Sequence, residues 1–296
     1  MEYIPAKTIV SRTKDTTWFG TDYNMNIYKG CCHGCIYCDS RSDCYRVEEF
    51  DRVRAKQDAL IILRNDLQRK VKTGVVGMGA MSDPYNPFER ELLLTRHALE
   101  LIDAYGFGTA IATKSPLVAR DADILCDIAR HSPVIVKMTV TTCDDALCNK
   151  VEPFAPPASE RLRAVRELSD AGLFAGVLLM PVLPFITDSD HNVLSVVRAA
   201  KENGARFVYP FFGVTLRANQ REHFLNSLDD RFAGQGLRER YLAQFGERYA
   251  CQSPRAKALW GVFKQECERL GLLYRMRDII NAYKQGYENS QLSFFT

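Results

Sequence analysis

Between residues 23 and 212, short apolar runs rich in Val, Ile and Phe alternate with stretches whose apolar residues fall at helical spacing. The first kind predicts strands: YNMNIYK (23–29), VVGMGA (75–80), FGTAIAT (107–113), VIVKMTV (134–140), FAGVLLM (174–180) and ARFVYPFF (205–212). Between them a helix is predicted over roughly 56–72, where Leu60, Leu63, Leu67 and Val71 share one face. Further helices are predicted near 89–105, 117–131, 157–171 and 190–203. Strict alternation argues for a parallel sheet built from βαβ units. Right-handed crossovers would roll it into a full or partial barrel or a doubly wound sheet, and the pattern alone does not choose between them. After Leu216 the rhythm stops, and 220–285 reads as several helices with no clear strand. The expected organisation is an N-terminal extension (1–18), an α/β body (19–217), a helical region (218–285) and a tail (286–296).

Composition changes this picture little. The chain has 296 residues, 46% hydrophobic and 25% charged, as a folded soluble protein does. A net charge of +3 neither demands nor excludes a nucleic-acid partner. MEYIPAKTIVSRTKD lacks the apolar core of a signal peptide, and no run approaches the roughly 20 apolar residues a membrane helix needs. The expectation is a cytoplasmic protein without a membrane partner, whose thiols stay reduced.

That expectation decides how the ten cysteines are read. Cys126 and Cys267 fall in helical patterns and suit the role of small buried apolar residues. YKGCCHGCIYCDSRSDCY (28–45), by contrast, crowds five cysteines into one loop. In a cytosolic chain this points to metal binding rather than a disulfide framework. Cys31, Cys35 and Cys38 have the spacing C-x3-C-x2-C. Four thiolates saturate a structural zinc or a complete cluster, whereas three on a 4Fe-4S cluster leave one iron free to bind something else. Zinc stays open as an alternative, with Cys44, Cys32 or His33 as fourth ligand. Gly30 and Gly34 allow a tight turn, and the loop follows the first strand, at the end where parallel α/β folds gather their sites.

The triple Cys with aromatic Tyr37 before its last member resembles the signature of the radical S-adenosylmethionine (SAM) enzymes. NIYKGCCHGCIYCDSRS, SDPYNPFE, LLTR, TKSPLVARD, the stretch from Glu152-Pro153 to Arg161-Leu162, and PVLPFITD resemble the branch related to spore photoproduct lyase, covering most of 20–285. The resemblance implies a partial (β/α)6 barrel with a C-terminal helical appendage. It implies a 4Fe-4S cluster on Cys31, Cys35 and Cys38, and SAM cleaved by one electron to a 5′-deoxyadenosyl radical. A reductant such as flavodoxin or ferredoxin would supply that electron. By the same resemblance Ser82, Lys114 and Thr139, near the ends of the second, third and fourth strands, hold the cofactor. Their plainer readings are a turn residue, a solvated strand end and a β-branched core position. Asp83, Asn86 and Glu89 would line a substrate pocket, although Glu89 equally suits the first turn of a helix. His33 would tune the cluster or stand exposed, and Arg120-Asp121 would be a local structural pair.

The sequence also departs from that branch. Spore photoproduct lyase returns hydrogen from a cysteine just after the second strand, where this chain has Ala80 and Met81; its tyrosine after the last cluster cysteine is Asp39 here. Cys143 or Tyr85 would be substitute donors. At the end of the chain QLSFF resembles the peptide by which bacterial proteins dock on the DNA polymerase sliding clamp, with Gln291, Leu292, Phe294 and Phe295 making the contacts. The expected function is radical SAM chemistry on damaged or modified nucleic acid, lyase- or DNA repair-like. The alternatives are the same chemistry on RNA or a peptide, and a non-catalytic metal-binding adaptor for the clamp.

Overall fold

The computed structural model describes residues 1–70 and 72–287, so Val71 and the docking peptide Gln291–Phe295 lie outside the described residues. In chain order the strands are β1 (Glu2–Ile4), β2 (Val10–Arg12), β3 (Tyr23–Met25), β4 (Tyr28–Lys29), β5 (Arg54–Lys56), β6 (Val75–Met78) and β7 (Gly108–Thr113). They continue with β8 (Val134–Thr139), β9 (Ala175–Leu179), β10 (Val208–Pro210), β11 (Gly213–Thr215) and β12 (Ala250–Gln252). The helices are α1 (Ala59–Gln68), α2 (Glu89–Leu92), α3 (Leu94–Ala104), α4 (Ala122–Ala129), α5 (Asp145–Val151) and α6 (Ala158–Asp170). After them come α7 (Asp190–Glu202), α8 (Ala218–Arg231), α9 (Leu237–Phe245), α10 (Ala256–Leu270) and α11 (Met276–Lys284).

The main sheet has the order β10-β9-β8-β7-β6-β3-β2. From β3 to β10 every pairing is parallel; only β2 runs antiparallel, on β3. Six parallel strands with covering helices make the expected partial barrel, and it stays open because β10 and β2 are both edges. Strand residues alternate between its faces. Val76, Met78, Ile111, Val136, Met138 and Val177 join the helix-covered core with Leu63 of α1, Leu99 of α3, Leu125 of α4, Val165 of α6 and Val196 of α7. Val75, Ala110, Ile135 and Leu178 face inward against Phe19, Phe207, Ile279 and Tyr283. α11 thus plugs the interior, fastened by hydrogen bonds from the Tyr283 hydroxyl to Phe19 O (2.6 Å) and from Lys284 Nζ to Gly20 O (2.6 Å). Across the gap between the edges, Trp18 of the β2–β3 connection meets Tyr209 of β10 edge-on, ring centroids 5.6 Å apart.

Several elements depart from the sequence expectation for local reasons. The single strand expected at 23–29 divides: β3 stays in the main sheet, and β4 joins a small sheet of order β1-β5-β4. The helix expected from 56 starts later, because Arg54–Lys56 is strand β5 and Asp58 takes a left-handed φ of 52°. The helix at 89–105 is broken by Leu93, at φ 52°. The helical region does contain a strand, correcting the all-helix reading: β12 pairs antiparallel with β11. At three residues, with the one buried side chain a cysteine, it is too short for its alternation to stand out in the sequence. Among the described residues no helix is long and apolar enough to cross a membrane.

Candidate active site

The cysteine loop leaves β4 through Gly30, which has φ +82° and lies so close to the 50–52 backbone that a Cβ would sit 2.3 Å from Arg52 O. Only glycine fits. The loop is then fixed by main-chain bonds: Cys31 N to Phe50 O (2.8 Å), Ile36 N to Val151 O (3.0 Å), and Phe154 N to His33 O (3.1 Å). Cys31, Cys35 and Cys38 come out on one cavity of about 140 Å³ at the C-terminal ends of β6, β7 and β8. Ser82, Asp83, Lys114 and Thr139 line the same cavity, together with His33, Ser40, Gly79 and Ala112. At Gly79, φ +91°, a Cβ would stand 1.9 Å from Ala112 O, so this wall too depends on a missing side chain.

Asp83 organises the wall. Its Oδ1 accepts from Thr113 Oγ1 (2.7 Å) and Tyr85 N (2.9 Å), and its Oδ2 accepts from Lys114 N (2.8 Å). His33 Nδ1 lies 3.5 Å from the same Oδ2. One carboxylate therefore ties the cysteine loop to the ends of β6 and β7. His33 is buried rather than exposed, and burial lowers its pKa against the pull of Asp83. The Ser82 hydroxyl donates to Tyr28 O (3.1 Å).

Asn86, Glu89 and Tyr85 are absent from the cavity wall. Asn86 accepts from Phe88 N (3.1 Å) at the start of α2. Glu89 accepts from the Tyr28 hydroxyl and from Thr95 N (2.8 Å) and faces Arg120 Nη2 at 3.6 Å. These buried groups brace the loop from behind. Tyr85 is buried beside Asp121. Cys143 packs half-buried against the helix-covered core and does not reach the wall either. Asn86 and Glu89 thus spend their side chains on Phe88 N, the Tyr28 hydroxyl and Thr95 N behind the loop rather than on the cavity. Arg120 does pair with Asp121, through Nε (2.8 Å) and Nη2 (2.8 Å).

Two further groups were not assigned from sequence. Behind Cys35 and Cys38 lies an ion pair of Glu152 and Arg161, neither side chain exposed. Tyr37 donates its hydroxyl to Glu152, and Lys114 Nζ lies 5.6 Å from the Tyr37 ring centroid. Arg161 also donates to Pro156 O (2.8 Å) and Thr139 O (3.1 Å). The available signal was an arginine in the apolar stripe Ala158, Leu162, Val165, Leu168 of α6. The second group is Asp39, whose carboxylate takes Arg217 Nε (3.0 Å) and Nη2 and the Tyr45 hydroxyl (2.9 Å). With Gln220 Nε2 donating to Tyr37 O (3.3 Å), this fastens the start of α8 to the cysteine loop.

Burial alone disfavours anionic sulfur at this site. Burial pushes the Cys31 thiol up to about 12, and it pushes Cys35 and Cys38 up against the opposing pull of Lys114. A bound cation reverses this and takes the thiolates outright. Burial opposes the Lys114 ammonium, but Cys35 and Glu152 outweigh it and keep the proton on. Glu152 is likewise opposed by burial, yet Arg161 and Lys114 hold its carboxyl below the usual range. Among the described residues no three His, Cys, Asp or Glu side chains are grouped as ligands of a single metal ion. Three thiols opening on one cavity beside an ammonium are the set that a cluster with one open iron and an anionic ligand would need.

Comparison with known proteins agrees with this site. A family model described as Radical SAM superfamily matches residues 25–208. An uncharacterised protein of Mycobacterium tuberculosis is 31% identical over 210 residues, 69% of this chain and 62% of that protein. The chain thus spans less than two thirds of that relative's length. An uncharacterised protein of Methanocaldococcus jannaschii is 29% identical over 194 residues, 64% of this chain and 70% of that one. Among solved structures, spore photoproduct lyase complexed with dinucleoside spore photoproduct superposes with TM-score 0.63 at 14% identity, covering 91% of this chain and 80% of that one. A variant of the same lyase with bound AdoMet gives TM-score 0.65 at 14% identity, covering 92% and 82%. The radical SAM methyltransferase TsrM from Kitasatospora setae gives 0.54 at 12% identity, covering 83% and 51%. At these identities the likeness is one of fold.

Proposed function

This chain belongs to the radical SAM superfamily, whose members use a 4Fe-4S cluster and S-adenosylmethionine, and from that premise we propose that it is an enzyme acting on damaged or modified nucleic acid. The observation that carries the chemistry is the single cavity shared by three thiols, the Lys114 ammonium and the hydroxyls of Ser82 and Thr139. In this reading Cys31, Cys35 and Cys38 hold three irons of the cluster. Lys114 meets the SAM carboxylate with a charge-assisted hydrogen bond, and Ser82 and Thr139 offer hydroxyls to its polar groups. Asp83 keeps the wall in shape. Once bound, the cluster and SAM would supply one-electron, hydrogen-abstracting radical chemistry, with a flavodoxin- or ferredoxin-type protein as reductant.

The nucleic-acid part rests on shared fold with a lyase whose solved structure is a complex with a dinucleoside photoproduct. The repair lyase's own route is not carried over: the loop after β6 holds Ala80 and Met81 in place of its thiol, and Cys143 and Tyr85 stand off the cavity wall. The same reading places the enzyme in the cytoplasm and brings it to DNA by docking Gln291, Leu292, Phe294 and Phe295 on the sliding clamp, on the strength of the peptide QLSFF alone.

The test is anaerobic reconstitution, reduction, and analysis of products with SAM and a panel of lesion-bearing oligonucleotides. Formation of 5′-deoxyadenosine with a changed nucleotide is the expected result. Absence of any SAM cleavage would support the adaptor, and cleavage coupled only to RNA or peptide would move the substrate there. Pulldown of the clamp with and without 291–296 tests the docking separately.

A further inference from the structure

The inner face of β8 carries Ile135, Lys137 and Thr139 in succession, because strand side chains alternate. Ile135 belongs to the interior plug, and Thr139 lines the cysteine cavity. Lys137 stands between them, buried at 3% exposure. Its Nζ lies 4.6 Å from the centroid of the Phe19 ring, and among the described residues it has no carboxylate or hydrogen-bond partner. Its register neighbours are Ala112 and Gly176, the smallest side chains available, and Ala112 is itself part of the cavity wall.

A buried ammonium without a counter-ion is unfavourable to the fold. Burial alone, with no opposing charge, pulls its pKa down to about 7. An apolar residue of the same length would pack here with greater stability, so the position is a candidate for function rather than architecture. Nearby, Phe19 and Trp18 meet Tyr209 at the open side of the barrel, ring centroids 5.6 Å apart in each case.

We propose that Lys137 is the substrate-recognition residue of the barrel interior, donating to an oxygen of the substrate nucleotide below the cysteine cavity, beside its wall residue Ala112. The oxygen is a phosphodiester oxygen or a base carbonyl, which present the same acceptor chemistry. This rests on the nucleic-acid reading above. Lys137 recognises and positions; it takes no part in cluster or SAM binding.

The test uses full-length, cluster-loaded protein with SAM and a fluorescent hexathymidylate, and the same strand with neutral methylphosphonate linkages. In Lys137→Met, affinity for the charged strand falls tenfold or more, while iron content and SAM affinity stay unchanged and thermal stability is equal or higher. If that loss disappears with the neutral strand, the bound oxygen is phosphate; if it persists, it belongs to the base. Lys137→Gln, which keeps a donor, is the second variant should the methionine fail to fold, and it loses less affinity. Unaltered binding in a folded variant overturns the assignment. Native protein that cleaves SAM yet binds neither strand removes the nucleic-acid reading, and this assignment with it.

Discussion

Arg161 and Glu152 pair at 2.5 Å with both side chains fully buried, directly behind the cysteine loop. Glu152 takes the Tyr37 hydroxyl, and the residue before it, Val151, accepts the Ile36 amide at 3.0 Å. The pair is thus the foundation on which Cys35 and Cys38 are placed. Removing one partner leaves the other buried and uncompensated. Arg161→Met or Glu152→Gln should each lower unfolding free energy by about 3–5 kcal/mol, as broken buried pairs do. Replacing both together should cost less than the sum of the two, since neither variant then strands a charge. Urea denaturation of the four proteins measures this, and additive losses would show that the residues act separately.

Cys35 is the most enclosed of the three loop thiols, at 6% exposure. Cys35→Ala should abolish the brown 4Fe-4S absorbance after reconstitution, whereas Cys44→Ala, at an exposed position off the cavity wall, should retain it. Iron and sulfide analysis alongside the spectrum decides the matter: a full cluster in Cys35→Ala would remove that residue from the ligand set.

How much of this was legible in the sequence follows from the scale of each feature. The βα rhythm and the C-x3-C-x2-C spacing are local, and both survive in the structure: six parallel strands, and three thiols on one cavity. Ser82, Lys114 and Thr139 also reach that cavity, because each lies at a strand end whose position the rhythm already fixed. What stayed hidden is long-range. Asp39 and Arg217 meet across most of the chain, and nothing near either residue announces the other. Asn86 and Glu89 sit in a polar loop that suits a pocket wall, and only their bonds to Phe88 N, the Tyr28 hydroxyl and Thr95 N show them turned behind it. β12 stayed hidden because three residues are too few for an alternating pattern to be told from chance.

The Asp39–Arg217 contact is half-open to solvent, with side chains 27% and 33% exposed. Its effect on global stability should therefore be small, about 1 kcal/mol or less. Locally it matters more, because Tyr45 and the start of α8 hang on the same carboxylate. Arg217→Ala should leave the melting temperature nearly unchanged yet speed amide exchange across 39–46. Hydrogen exchange by mass spectrometry reads this directly, and unchanged protection there would show that the latch does not order the loop.

Lys114 combines a main-chain bond to Asp83 with an ammonium kept charged by its neighbours. If that ammonium meets a carboxylate, Lys114→Ala should weaken SAM binding by about 1–3 kcal/mol, the range for a charge-assisted hydrogen bond. Calorimetric titration of reconstituted protein measures it. The backbone bond to Asp83 survives the substitution, so unchanged affinity would mean the ammonium serves the protein and not the cofactor.

The buried Lys137 ammonium makes a prediction with a definite sign. Its pKa is about 7 in the fold against an ordinary value of 10.5. Between those values the unfolded chain carries the proton and the folded one does not. The penalty for burying the group is therefore full below about pH 7 and shrinks as pH rises toward the unfolded value. Lys137→Met carries no such penalty. Its stability advantage over native protein should be largest near pH 6 to 7, on the order of a few kcal/mol, and should close by about pH 10. Melting temperatures of both proteins across that range provide the check. A constant difference would mean that Lys137 does not change protonation on folding, and that its environment holds a counter-charge or water able to keep the ammonium in place.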